Sequence, residues 1–336
     1  MHLVQIQNGA KRTVALVDEP NLIPLREVDS VFALAERAIS AGYGFSDLIG
    51  KLVSDATISY DDVYEGRSDW KLLSPIDCPG EPQRVHVSGT GLTHLGSARE
   101  RQAMHHPASA DEQEQMTDSM RMFEWGRQRG RPGDAEIGIA PEWFYKGDGS
   151  ILRAPFGFLT VPGYAEDGGE EAEVAAIYLI AADGTPWRIG MAAGNEFSDH
   201  VFERRNYLNL AGSKLRSCSI GPELVIDGRF EDVPGSVRIV RHGQSIWEKP
   251  IRTGESNMCH SLANLEHHHF KFSAHRQPRM VHVHFLGADC LSFGEGIRLE
   301  SGDVTEIQFD GFGRALRNTI AIEDQLTAPL RVGVMQ

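Results

Sequence analysis

The spacing of apolar and polar residues predicts a small first region of mixed structure. Two short β-type runs, HLVQIQ and RTVALVD, flank Asn8-Gly9, which is typical of a β-hairpin. Apolar residues at helical spacing predict a helix over 30–41, capped by Asp29 or Ser30, and a second short helix within 41–53. The Pro- and Gly-rich stretch 72–85 then predicts a boundary. We therefore expect a small N-terminal α/β domain over residues 1–75.

Beyond this boundary the alternation is mainly that of strands. Helices are expected over 111–127 and 258–270, and strands over 151–160, 173–181, 187–194, 223–227, 236–241, 280–286 and 304–309. Strands and helices do not alternate as βαβ units, and no internal repeat is visible. The sequence predicts an α+β fold whose β-rich second domain covers residues 85–325.

Charge and composition narrow the classes of partner. The formal net charge of -14 argues against nucleic acid and against an anionic membrane surface. No apolar run approaches the roughly 18 residues that span a bilayer, and the first residues do not resemble a signal peptide. The four cysteines have no CxxC spacing, which is typical of reduced thiols. We expect a cytoplasmic protein.

Three acidic residues are the first candidates for chemistry. Glu171 and Glu173 stand two residues apart at the start of an apolar run, so in a strand they project from one face. Two neighbouring carboxylates suit a hard cation such as Mg²⁺. Glu196 follows the next strand and could be a third ligand. The alternatives are a solvated edge strand for the pair, and a helix cap around 195–198.

Histidines and glycines offer two further interpretations. The HVH run (His282, His284) and the HHH run 267–269 could hold Zn²⁺ or Fe²⁺ in a cupin-like barrel. Alternatively, the first packs on a strand face and the second ends a helix. The segment GFGRALRN (311–318) lacks the spacing of a phosphate loop. We expect a tight turn between antiparallel strands there, with Gly311 and Gly313 supplying unusual φ angles.

Seven short motifs in order resemble the fumarylacetoacetate hydrolase superfamily over roughly residues 86–320. They are TGLTHLG (90–96), PEWFYKG (141–147), EAEV (171–174), GMAAGNEFSDH (190–200), GSKLRSCSIGP (212–222), FLGAD (285–289) and SGDVTEIQFDGFGRALRN (301–318). The resemblance implies a β-rich, fumarylacetoacetase-like fold (a mixed β-roll or barrel) and at least a homodimer. It also implies Glu171, Glu173 and Glu196 as ligands of Mg²⁺, or of Mn²⁺ or Ca²⁺ in its place.

The same resemblance assigns roles to further residues. It makes Lys214 and His94 the catalytic candidates. It places substrate contacts at Lys146, at Ser88, Gly89 and Thr90, and at Gly287, Ala288 and Asp289, where the family usually has Thr-Gly-Thr.

Two departures bear on the reaction that the resemblance implies. Gly91 stands for the family's tyrosine, and Ser97 for the glutamate that pairs with the histidine in hydrolytic members. The sequence is similar to the branch of 2-keto-3-deoxy-pentonate (arabonate or xylonate) dehydratases. This implies Mg²⁺-dependent dehydration of a small 2-keto acid to the semialdehyde of 2-oxoglutarate, with proton transfer by Lys214 and His94. A C–C bond hydrolase of acylpyruvates or other diketo acids and a non-catalytic sugar-acid binder remain alternatives.

Overall fold

The computed structural model describes residues 1–105, 116–326 and 328–335, so positions 111–115 of one predicted helix lie outside it. Its α-helices in this part are α1 (Val31–Ala41), α2 (Phe45–Leu52), α3 (Tyr60–Tyr64), α4 (Leu95–His105), α5 (Asp118–Arg129), α6 (His200–Arg205), α7 (Leu210–Lys214) and α8 (Leu262–Phe270). Ser30 caps α1, where its hydroxyl accepts from the Ala33 amide at 3.2 Å. Within the described ranges, no helix has the length and apolar character needed to cross a bilayer.

The predicted N-terminal hairpin is confirmed and leads into a larger sheet. Strand β1 (His2–Asn8) pairs antiparallel with β2 (Lys11–Asp18) as far as Asn8 opposite Lys11. The next strands are β3 (Asn21–Pro24), β4 (Ile58–Ser59) and β5 (Lys71–Leu72). Strand β1 also pairs with a strand of the second region, through His2 opposite Val225. The first 75 residues thus share a sheet with the rest, and their division into a separate domain stays a prediction.

Two sheets organise the second region. Its strands are β6 (Val85–Gly91), β7 (Glu142–Asp148), β8 (Leu152–Arg153), β9 (Phe158–Val161), β10 (Ala172–Ile180), β11 (Pro186–Asn195), β12 (Cys218–Ile220), β13 (Leu224–Val225), β14 (Val233–Arg241), β15 (Gln244–Thr253), β16 (Val281–Phe285), β17 (Val304–Phe309) and β18 (Leu316–Ile322). The larger sheet runs β4-β3-β2-β1-β13-β11-β10-β16-β6-β7, and the smaller runs β15-β14-β17-β18-β9. Strand β16 lies parallel to β6, and β18 parallel to β9.

The glycine-rich motif at 311–318 forms the predicted turn. It joins the antiparallel strands β17 and β18. Gly311 and Gly313 have φ angles of 81° and 80°, in the left-handed region that favours glycine. A Cβ atom at Gly313 would also lie 1.9 Å from Oε2 of the buried Glu223.

The core lies on both faces of the larger sheet. One face packs against α1 and α2 in a single hydrophobic cluster whose members include Ala175, Val283, Leu34 and Leu48. The other face packs against the smaller sheet and α8. All nine residues of β10 are buried as a result. The predicted β-rich α+β class is confirmed.

Candidate functional site

The candidate site begins where β10 and β11 lie side by side. Glu173 in β10 is opposite Gly194, Glu171 directly precedes β10, and Glu196 directly follows β11. One carboxylate oxygen from each of the three glutamates lies within 4.8 Å of the other two. All three side chains are buried, and β10 is an inner strand between β11 and β16. The solvated edge strand considered from the sequence is therefore wrong.

The predicted Gly287 loop contacts this acidic trio through its backbone. The Gly287 amide donates to Glu173 Oε2 at 2.6 Å. Gly287 has φ of 100°, and a Cβ atom there would lie 1.9 Å from the Thr93 hydroxyl. Glycine is required at this position because both the backbone angle and the space exclude a side chain.

Two lysines neutralise part of the acidic charge. Lys214 Nζ donates to Glu171 Oε1 and Glu196 Oε2, each at 2.5 Å. Lys146 Nζ lies 2.5 Å from Glu196 Oε1 and also donates to the carbonyls of Phe197 at 2.8 Å and Lys214 at 2.9 Å. Three contacts occupy the three hydrogens of the Lys146 ammonium. These contacts let Lys146 position Glu196. The assignment of Lys146 to substrate binding stays a prediction.

The electrostatics of the trio favour a cation. Burial, together with Glu171 and Glu196, raises the pKa of Glu173 well above its usual range. Burial opposes the charged form of Lys214, but Glu171 and Glu196 outweigh it and raise the pKa of that ammonium. With His200 neutral and these five side chains ionised, three carboxylates facing two ammonium groups leave one negative charge in excess. Oxygen ligands with an uncompensated buried charge fit a hard divalent ion.

A second buried charge network supports the site, and the sequence analysis did not identify it. Arg101 Nη1 donates to both carboxylate oxygens of Glu142 at 2.8 Å, and its Nε lies 3.0 Å from Glu203 Oε1. The Tyr207 hydroxyl donates to Glu142 at 2.9 Å. These contacts tie α4 to β7 and α6 around the trio.

The alternation of β7 could have revealed part of this network. Glu142, Phe144 and Lys146 are spaced by two and are all buried, so they share one face of the strand. The Lys214 ammonium lies 4.8 Å from the centre of the Phe144 ring. Gly89 in turn makes room for Phe144, because a Cβ atom there would lie 2.4 Å from the ring.

The predicted substrate hydroxyls of β6 face the other side of the sheet. Ser88 Oγ and Thr90 Oγ1 lie 2.9 and 2.7 Å from the two ring nitrogens of His284. Their assignment to substrate binding stays a prediction. Asp289 is also engaged, because its Oδ2 accepts from the Arg252 amide at 3.1 Å, while Ala288 is buried.

His94 is buried beside the trio's loop but is bonded elsewhere. Its Nδ1 lies 2.9 Å from the Thr93 hydroxyl, and its Nε2 lies 3.1 Å from the Thr253 hydroxyl. Burial lowers the pKa of His94 to about 4, so the ring is neutral at pH 7. Both ring nitrogens of His94 thus contact hydroxyls rather than a carboxylate. Its catalytic role stays a prediction.

Five other histidines form an imidazole cluster on the opposite face of β6 and β16 from the acidic trio. Its members, His86, His269, His275, His282 and His284, have neighbouring ring centres 4.4 to 5.9 Å apart. Trp143 Nε1, which can only donate, lies 3.1 Å from His269 Nδ1. His269 Nε2 therefore carries the proton and donates to His282 Nδ1 at 2.9 Å.

This cluster does not form the zinc or iron site considered from the sequence. Within the described ranges, only Glu171, Glu173 and Glu196 bring three potential ligand atoms within 4.8 Å of one another. Four of the five imidazoles instead hydrogen-bond to one another, to Trp143, to hydroxyls or to a backbone carbonyl. The interpretation of His282 and His284 as residues packed on a strand face is the one that the structure supports.

Solved structures share this arrangement of sheets. A hexagonal crystal form of 2-keto-3-deoxyarabinonate dehydratase matches with a TM-score of 0.70 at 17% identity, covering 97% of this chain and 100% of that one. The chain has a fumarylacetoacetase-like fold. 2-Keto-3-deoxy-D-arabinonate dehydratase complexed with magnesium and 2,5-dioxopentanoate gives 0.69 at 18% identity, with 97% and 100% covered.

A more distant match has another activity. The 5-carboxymethyl-2-hydroxymuconate delta-isomerase of Mycobacterium smegmatis gives a TM-score of 0.58 at 16% identity, with 96% and 100% covered. No family profile matches the sequence, and no curated protein sequence matches it. At these identities the likeness establishes the fold, and the chemistry must be argued from the site.

Proposed function

We propose that this protein is a Mg²⁺-dependent dehydratase of the fumarylacetoacetate hydrolase superfamily. Its substrate would be a 2-keto-3-deoxy-pentonate and its product the semialdehyde of 2-oxoglutarate. The observation that carries the proposal is the buried trio of Glu171, Glu173 and Glu196, which has one more carboxylate than the ammonium groups of Lys146 and Lys214 beside it. Mn²⁺ or Ca²⁺ would suit the same oxygen ligands.

Charge balance supports a monoanionic 2-keto acid as the ligand. A divalent ion on the trio would change the single negative excess into a single positive one. The carboxylate of a 2-keto acid supplies the compensating negative charge. When bound, the cation would supply Lewis acidity toward the keto-acid oxygens and so acidify the adjacent C–H group.

Lys214 is the residue best placed to act on the reacting atoms. Its ammonium touches two of the three carboxylates and lies 4.8 Å from the centre of the Phe144 ring, which shields it from water. A lysine held there can stabilise a negative oxygen by hydrogen bonding or carry a proton. Lys146 contributes indirectly, because its ammonium contacts Glu196 and holds that carboxylate in position.

The environment of His94 favours dehydration over hydrolysis. A hydrolase would need His94 to activate water with help from a carboxylate. Both of its ring nitrogens instead face the hydroxyls of Thr93 and Thr253. The fold match to a dehydratase complexed with magnesium and 2,5-dioxopentanoate agrees with this choice.

Product analysis tests the proposal directly. Purified protein with Mg²⁺ would be given a 2-keto-3-deoxypentonate or an acylpyruvate, with EDTA-treated protein as the control. The proposal predicts an aldehyde product from the first substrate that disappears with EDTA. Pyruvate from the second would indicate the hydrolase, and no product from either would indicate a sugar-acid binder.

The proposal also includes a cytoplasmic location and at least a homodimer. All four cysteines are free and buried, which suits a reducing compartment. Light scattering of the purified protein would measure the assembly, and a monomer would contradict this part of the proposal.

A further inference from the structure

We infer that His200 is a positioning residue that orients Glu171 for cation binding, an inference that rests on the proposed function. His200 is the first residue of α6 and follows Glu196 by four positions. Its Nε2 lies 3.1 Å from Glu171 Oε1, and the side chain is buried. No role for His200 was predicted from the sequence.

The ring has little freedom to move. A Cβ atom on Gly169 would lie 2.3 Å from His200 Nδ1, so the ring packs directly on the backbone of Gly169. Phe293 covers another side, with ring centres 5.2 Å apart. Asp199 anchors the helix start by accepting from the Phe202 amide at 2.9 Å. These contacts aim Nε2 at Glu171.

Backbone pairing joins the imidazole and the carboxylate into one unit. The Gly169 amide donates to the Ser198 carbonyl at 2.9 Å, and the Ser198 amide donates back to Gly169 at 3.0 Å. The Glu196 amide donates to the Glu171 carbonyl at 3.0 Å. The segment before β10 and the segment after β11 therefore hold their side chains in a fixed relation.

The contacts on Glu171 distinguish its two oxygens. Both His200 Nε2 and Lys214 Nζ contact Oε1, at 3.1 and 2.5 Å. Oε2 is left as the oxygen available to a cation. Partners of this kind that orient a ligand typically change metal affinity by about 10- to 100-fold when removed.

Three variants separate the hydrogen bond from the packing. His200→Phe keeps an aromatic ring but removes the N–H donor, and His200→Gln restores an amide donor. Gly169→Ala keeps the histidine at position 200 but adds a methyl group that displaces its ring. Gly133→Ala is the matched control, because a Cβ atom at Gly133 meets nothing within 4 Å.

The experiment measures Mn²⁺ binding by calorimetry or electron paramagnetic resonance, together with the Tm of each metal-free protein. We expect the Kd for Mn²⁺ to rise about 10- to 100-fold in His200→Phe. It should also rise in Gly169→Ala. His200→Gln should recover most of the affinity, and Gly133→Ala should match wild type. Metal-free Tm values within a few degrees of wild type show that folding is intact.

The outcomes that contradict this inference differ from those that contradict the function. Wild type that fails to bind Mn²⁺ overturns the proposed function. Wild type that binds, with His200→Phe within threefold of it, overturns the role of His200 alone. Equal losses in His200→Phe and His200→Gln overturn the hydrogen bond as the cause. If His200→Phe does not fold, unchanged affinity in folded Gly169→Ala is the refuting result.

Discussion

Acidification from pH 8 to pH 5 should destabilise this protein through the imidazole cluster. Burial, with a further contribution from His275, lowers the pKa of His86 to about 4 and that of His284 to about 3. Burial and neighbouring imidazoles also lower the pKa of His269 and His282. These rings are therefore neutral in the folded protein at pH 5, where the same residues are protonated in the unfolded chain.

The size and direction of the effect follow from linkage. A histidine with a pKa near 6.5 when unfolded and about 4 when folded stabilises the protein fully above pH 6.5. That stability is lost as the pH falls from 6.5 toward 4, because the unfolded chain binds the proton first. Between pH 8 and pH 5 the loss is about 2 kcal/mol for His86.

His86→Phe isolates this contribution. The ring of His86 lies against that of Tyr145 at a tilted angle, with ring centres 4.9 Å apart, and its buried Nε2 has no hydrogen-bond partner in the described part of the chain, so phenylalanine preserves its packing. Urea unfolding at pH 8 and pH 5, in EDTA, gives the free energy of unfolding of each protein. The loss between the two pH values should be about 2 kcal/mol smaller in the variant than in wild type.

The matched control is a histidine on α8, the helix that also carries His269 of the cluster. His267 is exposed on α8, so His267→Gln should show the wild-type loss of stability between pH 8 and pH 5. If His86→Phe and wild type lose the same free energy, His86 titrates normally in the folded state. That result would show that burial does not lower the pKa of His86 in the folded protein.

Three further predictions concern the acidic trio and the turn at Gly313. Lys214→Met should lower turnover by about 10²- to 10⁴-fold without changing the circular dichroism spectrum, and near-normal turnover would exclude Lys214 from the chemistry. Mg²⁺ at 100 times its Kd should stabilise wild type by about 2.7 kcal/mol in thermal unfolding, and Glu173→Gln should remove most of this gain. Gly313→Ala should cost about 2–4 kcal/mol in urea unfolding, because it combines a positive φ with a clash against Glu223. Gly311→Ala has the same φ but open space, so it should cost only about 1–2 kcal/mol.

Local patterns were sufficient to predict most strands but not their pairing. Strand β17 occupies the predicted range 304–309, and β10 differs by one residue from the predicted 173–181. Strand β15 was missed, because Pro250 and the charged residues around it obscure the alternation. The predicted strand 151–160 is two short strands in different sheets. The parallel pairing of β16 with β6 depends on long-range contacts that a single sequence does not encode locally.

The same limit applies to the candidate site. The spacing of Glu171 and Glu173 was enough to place them on one face, and the following strand brought in Glu196. His200 and Lys146 gained their roles only through register, because β11 must pair with β10 before either side chain reaches a carboxylate. The two-residue spacing in EWFYK contained a usable signal for Glu142, Phe144 and Lys146.

The strands beside the trio keep two kinds of titratable side chain apart. On β7, Phe144 and Lys146 face the acidic trio, while Trp143 and Tyr145 face the imidazole cluster. On one face, Lys214 and Glu171 stabilise each other's charged form, whereas burial and the neighbouring carboxylates raise the pKa of Glu173. On the other face, His86, His269, His282 and His284 stay neutral mainly because burial opposes their charged forms.

Strand β16 and the segment that follows it contact both faces. His284 holds the Ser88 and Thr90 hydroxyls of β6 on the cluster side. The same strand, β16, continues into the Gly287 amide that donates to Glu173 on the other side. Neutral imidazoles thus fix the backbone from which a member of the trio takes its hydrogen bond. The cluster and the acidic site therefore share β16 and the segment that follows it, although no hydrogen bond joins these five histidines to a carboxylate of the trio.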